Sequence, residues 1–312
     1  MSKPSSNFIK FRTKSGKKTI FSKGILSRTF YAIGLDEINA YELATQIELQ
    51  VGKTSKTLSQ ESFSQIVLDS LEKFNPLYAQ RYIAFEQKGV YKPIIILLAG
   101  VPGIGKSTIA SLLSRRLEIT NIIGTDMIRE ILRQSISKKL VPELYGSSYE
   151  AYKYLKPEIN PILDRSIVGF EEQSRLVIVG VEAIIESAMY SRENTIIEGV
   201  HLSPNLFKTE TISQPHVMLF LLHLKDEHEH LERFKRRGLK VVERNAERYI
   251  NAFEEIRTIQ RYLVEEANRH KIPIIETQDQ QRVIHSLLDA IWERILLIIK
   301  NEKKKKEKEN NQ

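Results

Sequence analysis

The 312-residue chain predicts an α/β fold. The expectation is a mostly parallel sheet with helices on both faces, preceded by a small, mostly helical N-terminal domain that carries a β-hairpin. Three observations lead there. Short apolar runs at 94–99, 121–124, 195–198, 216–223 and 272–276 alternate with helical patterns, as strands buried on both faces of a parallel sheet do. The first run passes directly into G-V-P-G-I-G-K-S-T at 100–108 and then into a helical pattern at 109–117. Residues before about 82 follow a different rhythm, of two short strands and then amphipathic helices.

In chain order, F-I-K-F-R-T from Phe8 and T-I-F-S from Thr19 flank a lysine-rich glycine turn, a hairpin signature. The stretch 23–34 has helical spacing with a glycine stop, and 37–51 and 62–74 repeat the helical period. Helical character continues through Tyr82, so the first domain is expected at 1–82, with a linker at 83–93. The second domain is expected at 94–300. Within it, 127–191 reads as almost wholly helical: the helix after the second strand, then a helical insertion at about 134–191. Tyr145, Tyr149, Tyr152 and Tyr154 are expected to pack that insertion. A basic lid is expected at about 229–250, and a disordered lysine-rich tail at 301–312.

Composition narrows the classes. Cysteine is absent, which excludes disulfides, thiol catalysis and cysteine-based zinc sites. No run of 18 apolar residues occurs and the first residues lack the apolar core of a signal peptide, so no membrane association and a cytoplasmic location are expected. The net charge is +8, from 47 basic and 39 acidic residues. That excess suits anionic small molecules and is too mild to demand nucleic acid.

The loop at 100–108 is a Walker A sequence between a strand and a helix, the context that gives the motif its meaning. Gly100, Gly103 and Gly105 let the backbone curl, so that N–H groups through Ile104 and Thr108 face one phosphate chain. Lys106 is expected on the β- and γ-phosphates and Ser107 on Mg2+, which makes ATP and Mg2+ the expected cofactors.

Ligands in such sheets sit at the carboxyl ends of the strands. Asp126 closes the second strand, in the reading as acceptor-orienting carboxylate or as a plain helix cap. Arg129 and Arg133 share one helix face beside it and suit a substrate phosphate or carboxylate. Glu198 ends the third strand and can serve the metal or the acceptor; Gly199 beside it is expected to admit substrate, and His201 to contact it. Arg233 and Arg237 are the lid residues expected to neutralise transferred charge, with Arg244 and Arg248 downstream. The cluster Asp226, Glu227, His223, His228 and His230 matches no zinc spacing and reads as a solvated loop.

With these residues in view, the second domain resembles small-metabolite and nucleoside kinases of the P-loop type. A closer resemblance is to the archaeal 2-phosphoglycerate kinase family, carried by G-T-D-M-I-R-E-I-L-R and I-I-E-G-V-H-L-S-P. It extends through an ATP-cone-like N-terminal domain bearing F-I-K-F-R, F-S-K-G-I-L and A-x-x-L-A-x-x-I-E. The resemblance implies phosphoryl transfer from Mg·ATP to the free hydroxyl of 2-phosphoglycerate, giving 2,3-bisphosphoglycerate. It also implies Lys10, Arg12 and Lys23 as nucleotide-binding residues of the cone, although Gly24 stands where that module usually has a lysine. The residues by themselves leave the acceptor open to a nucleoside, another sugar acid or a polynucleotide 5′-hydroxyl. Outside enzymes, the alternative is a nucleotide-sensing regulator that binds nucleic acid. The acceptor-side Asp126 and the lid favour an enzyme over that regulator, and the resemblance implies a small phosphorylated acid as its substrate.

Overall fold

Strands β1 (Lys10–Arg12) and β2 (Lys18–Ile20) pair antiparallel as the expected hairpin. Helices α1 (Lys23–Ala32) and α2 (Glu37–Gly52) follow, then β3 (Leu58–Ser59), α3 (Gln60–Phe74) and α4 (Pro76–Glu86). Each of the first three helices starts on a polar cap: the side chains of Ser22, Asp36 and Ser59 accept from the N–H groups of Ile25, Asn39 and Ser62. The pairing of β3 with β1, parallel, was not expected, because two residues are too short to show a strand period. These positions come from a computed structural model, which describes residues 10–12, 18–53, 58–86, 93–155, 164–240 and 246–310.

The second half alternates strand and helix. Strand β4 (Ile95–Ala99) leads through the glycine loop into α5 (Lys106–Leu117), and β5 (Asn121–Gly124) into α6 (Thr125–Ser135). Two 3-10 turns (Pro142–Tyr145 and Ala151–Tyr154) precede α7 (Arg165–Ser191) and β6 (Thr195–Gly199). Then come α8 (Thr209–Ile212), β7 (Val217–His223), α9 (Glu227–Lys240), α10 (Ala246–Asn251), α11 (Phe253–Arg269), β8 (Ile274–Glu276) and α12 (Gln280–Asn310). The five strands β4 to β8 form one fully parallel sheet in the order β5-β6-β4-β7-β8. Every residue of β4 is buried, which is why its side chains read as a continuous apolar run rather than an alternating one. Burying each such Ile or Leu contributes roughly 1.5–3 kcal/mol.

Three expectations change. The chain separates into one unit of 1–91 with 288–312 and a second of 92–287, so the end of α12 leaves the domain expected at 94–300. Its residues complete the first unit: Trp292 Nε1 donates to the Ala32 carbonyl at 3.0 Å, and Arg81 donates to Asp289 at 2.7 Å and to the Ile33 carbonyl at 3.1 Å. The tail expected to be disordered continues α12 to Asn310. Lys and Glu are good helix formers, and Lys303 precedes Glu307 by one turn. The stretch 136–155 is turns rather than α-helix, and α7 is a crossover helix whose Phe170, Val177, Val181 and Ile185 are buried.

Two buried histidines hold the carboxyl edge of the sheet in shape. His230, on α9, engages the Pro102 carbonyl through Nε2 at 2.8 Å and stacks on Phe234 at 5.0 Å. It is wholly buried, which corrects the solvated-loop expectation. His201 lies just beyond β6, with Nδ1 2.7 Å from Thr125 Oγ1 and Nε2 3.0 Å from Gln173 Oε1. Because an amide oxygen only accepts, Nε2 carries the proton and the Thr125 hydroxyl donates to Nδ1. Gln173 in turn donates to the Glu143 and Gly146 carbonyls. Burial pushes both imidazoles down to about 4, so the folded chain keeps them neutral. The unfolded chain binds these protons near pH 6.5. Stability contributed by the neutral form is therefore complete above about pH 6.5 and falls as pH drops towards 4. Chemical denaturation at stepped pH should show a loss near 1.4 kcal/mol per pH unit for each histidine. Replacing His201 by Gln should flatten that slope.

Candidate active site

The phosphate loop owes its shape to glycine. Gly103 and Gly105 take φ +85° and +97°, a region costly for other residues. A Cβ on Gly103 would also lie 2.6 Å from the Phe234 ring, so α9 packs directly under the loop. Ile104 is buried and contributes through its backbone, whereas Thr108 is exposed on the first turn of α5. No side chain caps α5, whose first N–H groups remain available to an anion. The Lys106 ammonium folds back onto the Val101 carbonyl at 2.9 Å.

Sheet register then brings two acidic-site components together. Strand pairing sets Leu98 beside Glu198 and Ala99 beside Gly199. The Ser107 hydroxyl consequently donates to Glu198 Oε1 at 2.7 Å. A hydroxyl and a carboxylate converging next to a phosphate loop are oxygen ligands of the kind hard divalent cations prefer. Among the described residues no group of three His, Asp or Glu side chains forms a self-sufficient metal cage. A two-oxygen site fits a cation that keeps much of its water and takes further oxygens from phosphate.

These residues line a cleft of about 1250 Å3 that also takes in Asp126, Arg129, Tyr149 and Arg248. The cap of α6 is Gly124, not Asp126, which sits inside the first turn with its side chain 81% exposed. Its nearest cation is Arg129 Nε at 3.6 Å. Arg129 itself is largely buried and donates to the Gly146 carbonyl and to Glu130.

Other expected residues fall elsewhere. Arg133 pairs with Glu130 at 3.2 Å, lies over the Tyr145 ring and does not line the cleft. His201 is wholly buried with both nitrogens committed, so it braces Thr125 instead of contacting substrate. Gly199 lines the cleft, but the space a Cβ would need is filled by the Thr125 side chain, so its role is packing. Arg233 donates to Glu229 at 2.9 Å, to the Ile104 carbonyl at 3.1 Å and to the Thr277 carbonyl at 2.9 Å. It clamps the phosphate loop from below while still lining the cleft. Arg237 lies in α9, and its side chain is outside the described residues, as are those of Lys10 and Arg12 in β1. Lys23 is engaged by Glu48 at 3.4 Å and by the Tyr41 ring.

Sequence reasoning missed Arg236, Ser147 and Ser148, all cleft-lining. Arg236 was recoverable from its place one residue before Arg237. The two serines sit in a turn with no periodic signal.

Comparison with known proteins finds relatives of this chain. A family model described as an AAA domain matches residues 96–252. The chain is 38% identical over 279 residues to 2-phosphoglycerate kinase of Methanopyrus kandleri, covering 88% of this chain and 85% of that protein. It is 36% identical over 298 residues to 2-phosphoglycerate kinase of Pyrococcus furiosus, covering 94% and 96%. A solved gluconokinase from Sinorhizobium meliloti aligns with 67% of this chain and 97% of its own at 16% identity and a TM-score of 0.40. By its curated relatives, matched over nearly their whole length, the chain belongs to the 2-phosphoglycerate kinase family.

Proposed function

We propose that the protein transfers the γ-phosphoryl group of ATP to the free hydroxyl of 2-phosphoglycerate, giving 2,3-bisphosphoglycerate and ADP. The observation that carries the reading is one cleft holding both halves of the chemistry: the phosphate loop with Lys106, and the exposed Asp126 beside Arg129. The names of the curated relatives support the acceptor.

In this reading the loop amides and Lys106 bind the donor phosphates. Ser107 and Glu198 would hold Mg2+, which when bound neutralises charge on the phosphates. Glu198 already accepts from Ser107, which leaves Asp126 as the carboxylate that faces the acceptor hydroxyl. The hydroxyl oxygen bonds to the γ-phosphorus as the bond to the β,γ-bridging oxygen breaks, and the hydroxyl proton passes to Asp126. Arg236 and Arg233 lie where they offset charge on the donor side. In the N-terminal unit Lys23 is spent on Glu48, which leaves Lys10 and Arg12 as the nucleotide-binding candidates. No helix among the described residues is long and apolar enough to cross a membrane, in keeping with a small-molecule kinase of the cytoplasm.

The deciding experiment offers ATP with 2-phosphoglycerate, glycerate, nucleosides and 5′-hydroxyl oligonucleotides, and reads products by 31P NMR. Formation of 2,3-bisphosphoglycerate and ADP is the expected result. Turnover of another acceptor instead, or salt-sensitive oligonucleotide binding with no turnover, would replace the reading. Asp126→Asn should lower kcat at least roughly a hundredfold with the KM for ATP within about twofold. A loss of kcat below about twofold would remove Asp126 from the chemistry.

A further inference from the structure

The arginines of the cleft divide into two sets by what they already hold. Arg233 is tied to the phosphate loop through the Ile104 carbonyl, and Arg236 shares Glu229 with it at 2.8 Å. Both therefore belong to the donor end. At the Asp126 end, Arg129 donates to the Gly146 carbonyl and so links α6 to the turn that carries Ser147, Ser148, Tyr149 and Glu150. Arg248, on α10, attaches to the far side of that same turn. Its Nε donates to Glu150 Oε2 at 3.0 Å, its terminal nitrogen donates to the same oxygen, and its guanidinium lies 5.9 Å from the Tyr149 ring centroid.

The two acceptor-side arginines differ in availability. The Arg129 side chain is 13% exposed, and its two terminal nitrogens donate to a backbone carbonyl and to Glu130. Its buried Nε faces Asp126 at 3.6 Å, so it is held in place by its own helix and the adjoining turn. The Arg248 side chain is 53% exposed, and two of its nitrogens converge on a single carboxylate oxygen. A guanidinium fork prefers two oxygens, which a phosphate supplies and one carboxylate oxygen does not. Glu150 has a second cation of its own: Lys153 donates to Oε1 at 3.1 Å. Losing Arg248 would therefore not strand the carboxylate.

We propose that Arg248 is the specificity-determining residue that binds the phosphate already present on the acceptor, and that Glu150 occupies it until the acceptor arrives. The inference rests on the acceptor reading given above. The incoming phosphate dianion carries more charge than the carboxylate it displaces, so exchange favours the acceptor. An acceptor without that phosphate leaves Arg248 on Glu150 and gains nothing from it.

Steady-state kinetics of the full chain with 2-phosphoglycerate and ATP test this. Arg248→Ala should raise the KM for 2-phosphoglycerate roughly ten- to a hundredfold, the scale of a lost charge-assisted pair, with the KM for ATP within about twofold. Arg248→Lys should recover part of the loss. Glu150→Gln should lower the acceptor KM, because it removes the competing charge and leaves the cleft residues in place. A raised KM for ATP with an unchanged acceptor KM in Arg248→Ala would overturn the proposal. So would a Glu150→Gln variant that binds acceptor as poorly as Arg248→Ala. Should Arg248→Ala fail to fold, Arg248→Lys and Glu150→Gln decide by the same two constants. Wild-type protein that does not turn over 2-phosphoglycerate overturns the acceptor reading and this inference together. An active wild type with an unmoved acceptor KM in the Arg248 variants overturns this inference alone.

Discussion

Catalytic geometry in this chain depends on the parallel register of β4 against β6. Pairing Leu98 with Glu198 delivers the glutamate to the mouth of the phosphate loop, where the Ser107 hydroxyl meets it at 2.7 Å. A slip of one residue would turn Glu198 to the other face of the sheet. It would also bury its charge among the apolar side chains that make β4 and β6 fit together. Burial of the sheet and placement of the Ser107–Glu198 pair, for which we propose the cation, are thus one constraint, enforced by apolar area that neither residue contributes.

A second layer of structure keeps the edge of the sheet rigid. His230, Phe234 and Arg233 support the phosphate loop from α9, so the basic segment expected to act only as a lid is in large part its foundation. The chain Thr125–His201–Gln173 does the same beneath Asp126, and it ends on Gly146, whose carbonyl also receives Arg129. Positioned groups lose little reorganisation energy at the moment of reaction, which is what such fixed hydrogen-bond chains supply.

Much of this was legible in the sequence, for identifiable reasons. The three inner strands β6, β4 and β7 announce themselves because strands buried on both faces must be apolar almost throughout. The edge strands β5 and β8 are only partly buried and show as short apolar runs between helical patterns. The phosphate loop is legible because its backbone conformation admits few residues besides glycine. What could not be read is which polar residue faces the cleft. His201 and Asp126 look alike on paper, as ionisable groups at strand ends, yet one is wholly buried and the other exposed. Arg233 and Arg248 differ only in which carbonyl or carboxylate lies within reach, a matter of tertiary packing. The placement of Trp292 with Ala32 was hidden for the same reason: their contact spans most of the chain.

The central claim is that register makes Ser107 and Glu198 a single cation-holding pair beside the phosphate loop. Its most direct measurement is Mn2+ affinity in the presence of ATP, read by electron paramagnetic resonance for wild type, Ser107→Ala, Glu198→Gln and the double variant. Each single change should weaken Mn2+ at least roughly tenfold, and the two losses should not add, since both oxygens serve one ion. Mn2+ affinity unchanged in both single variants would contradict the account.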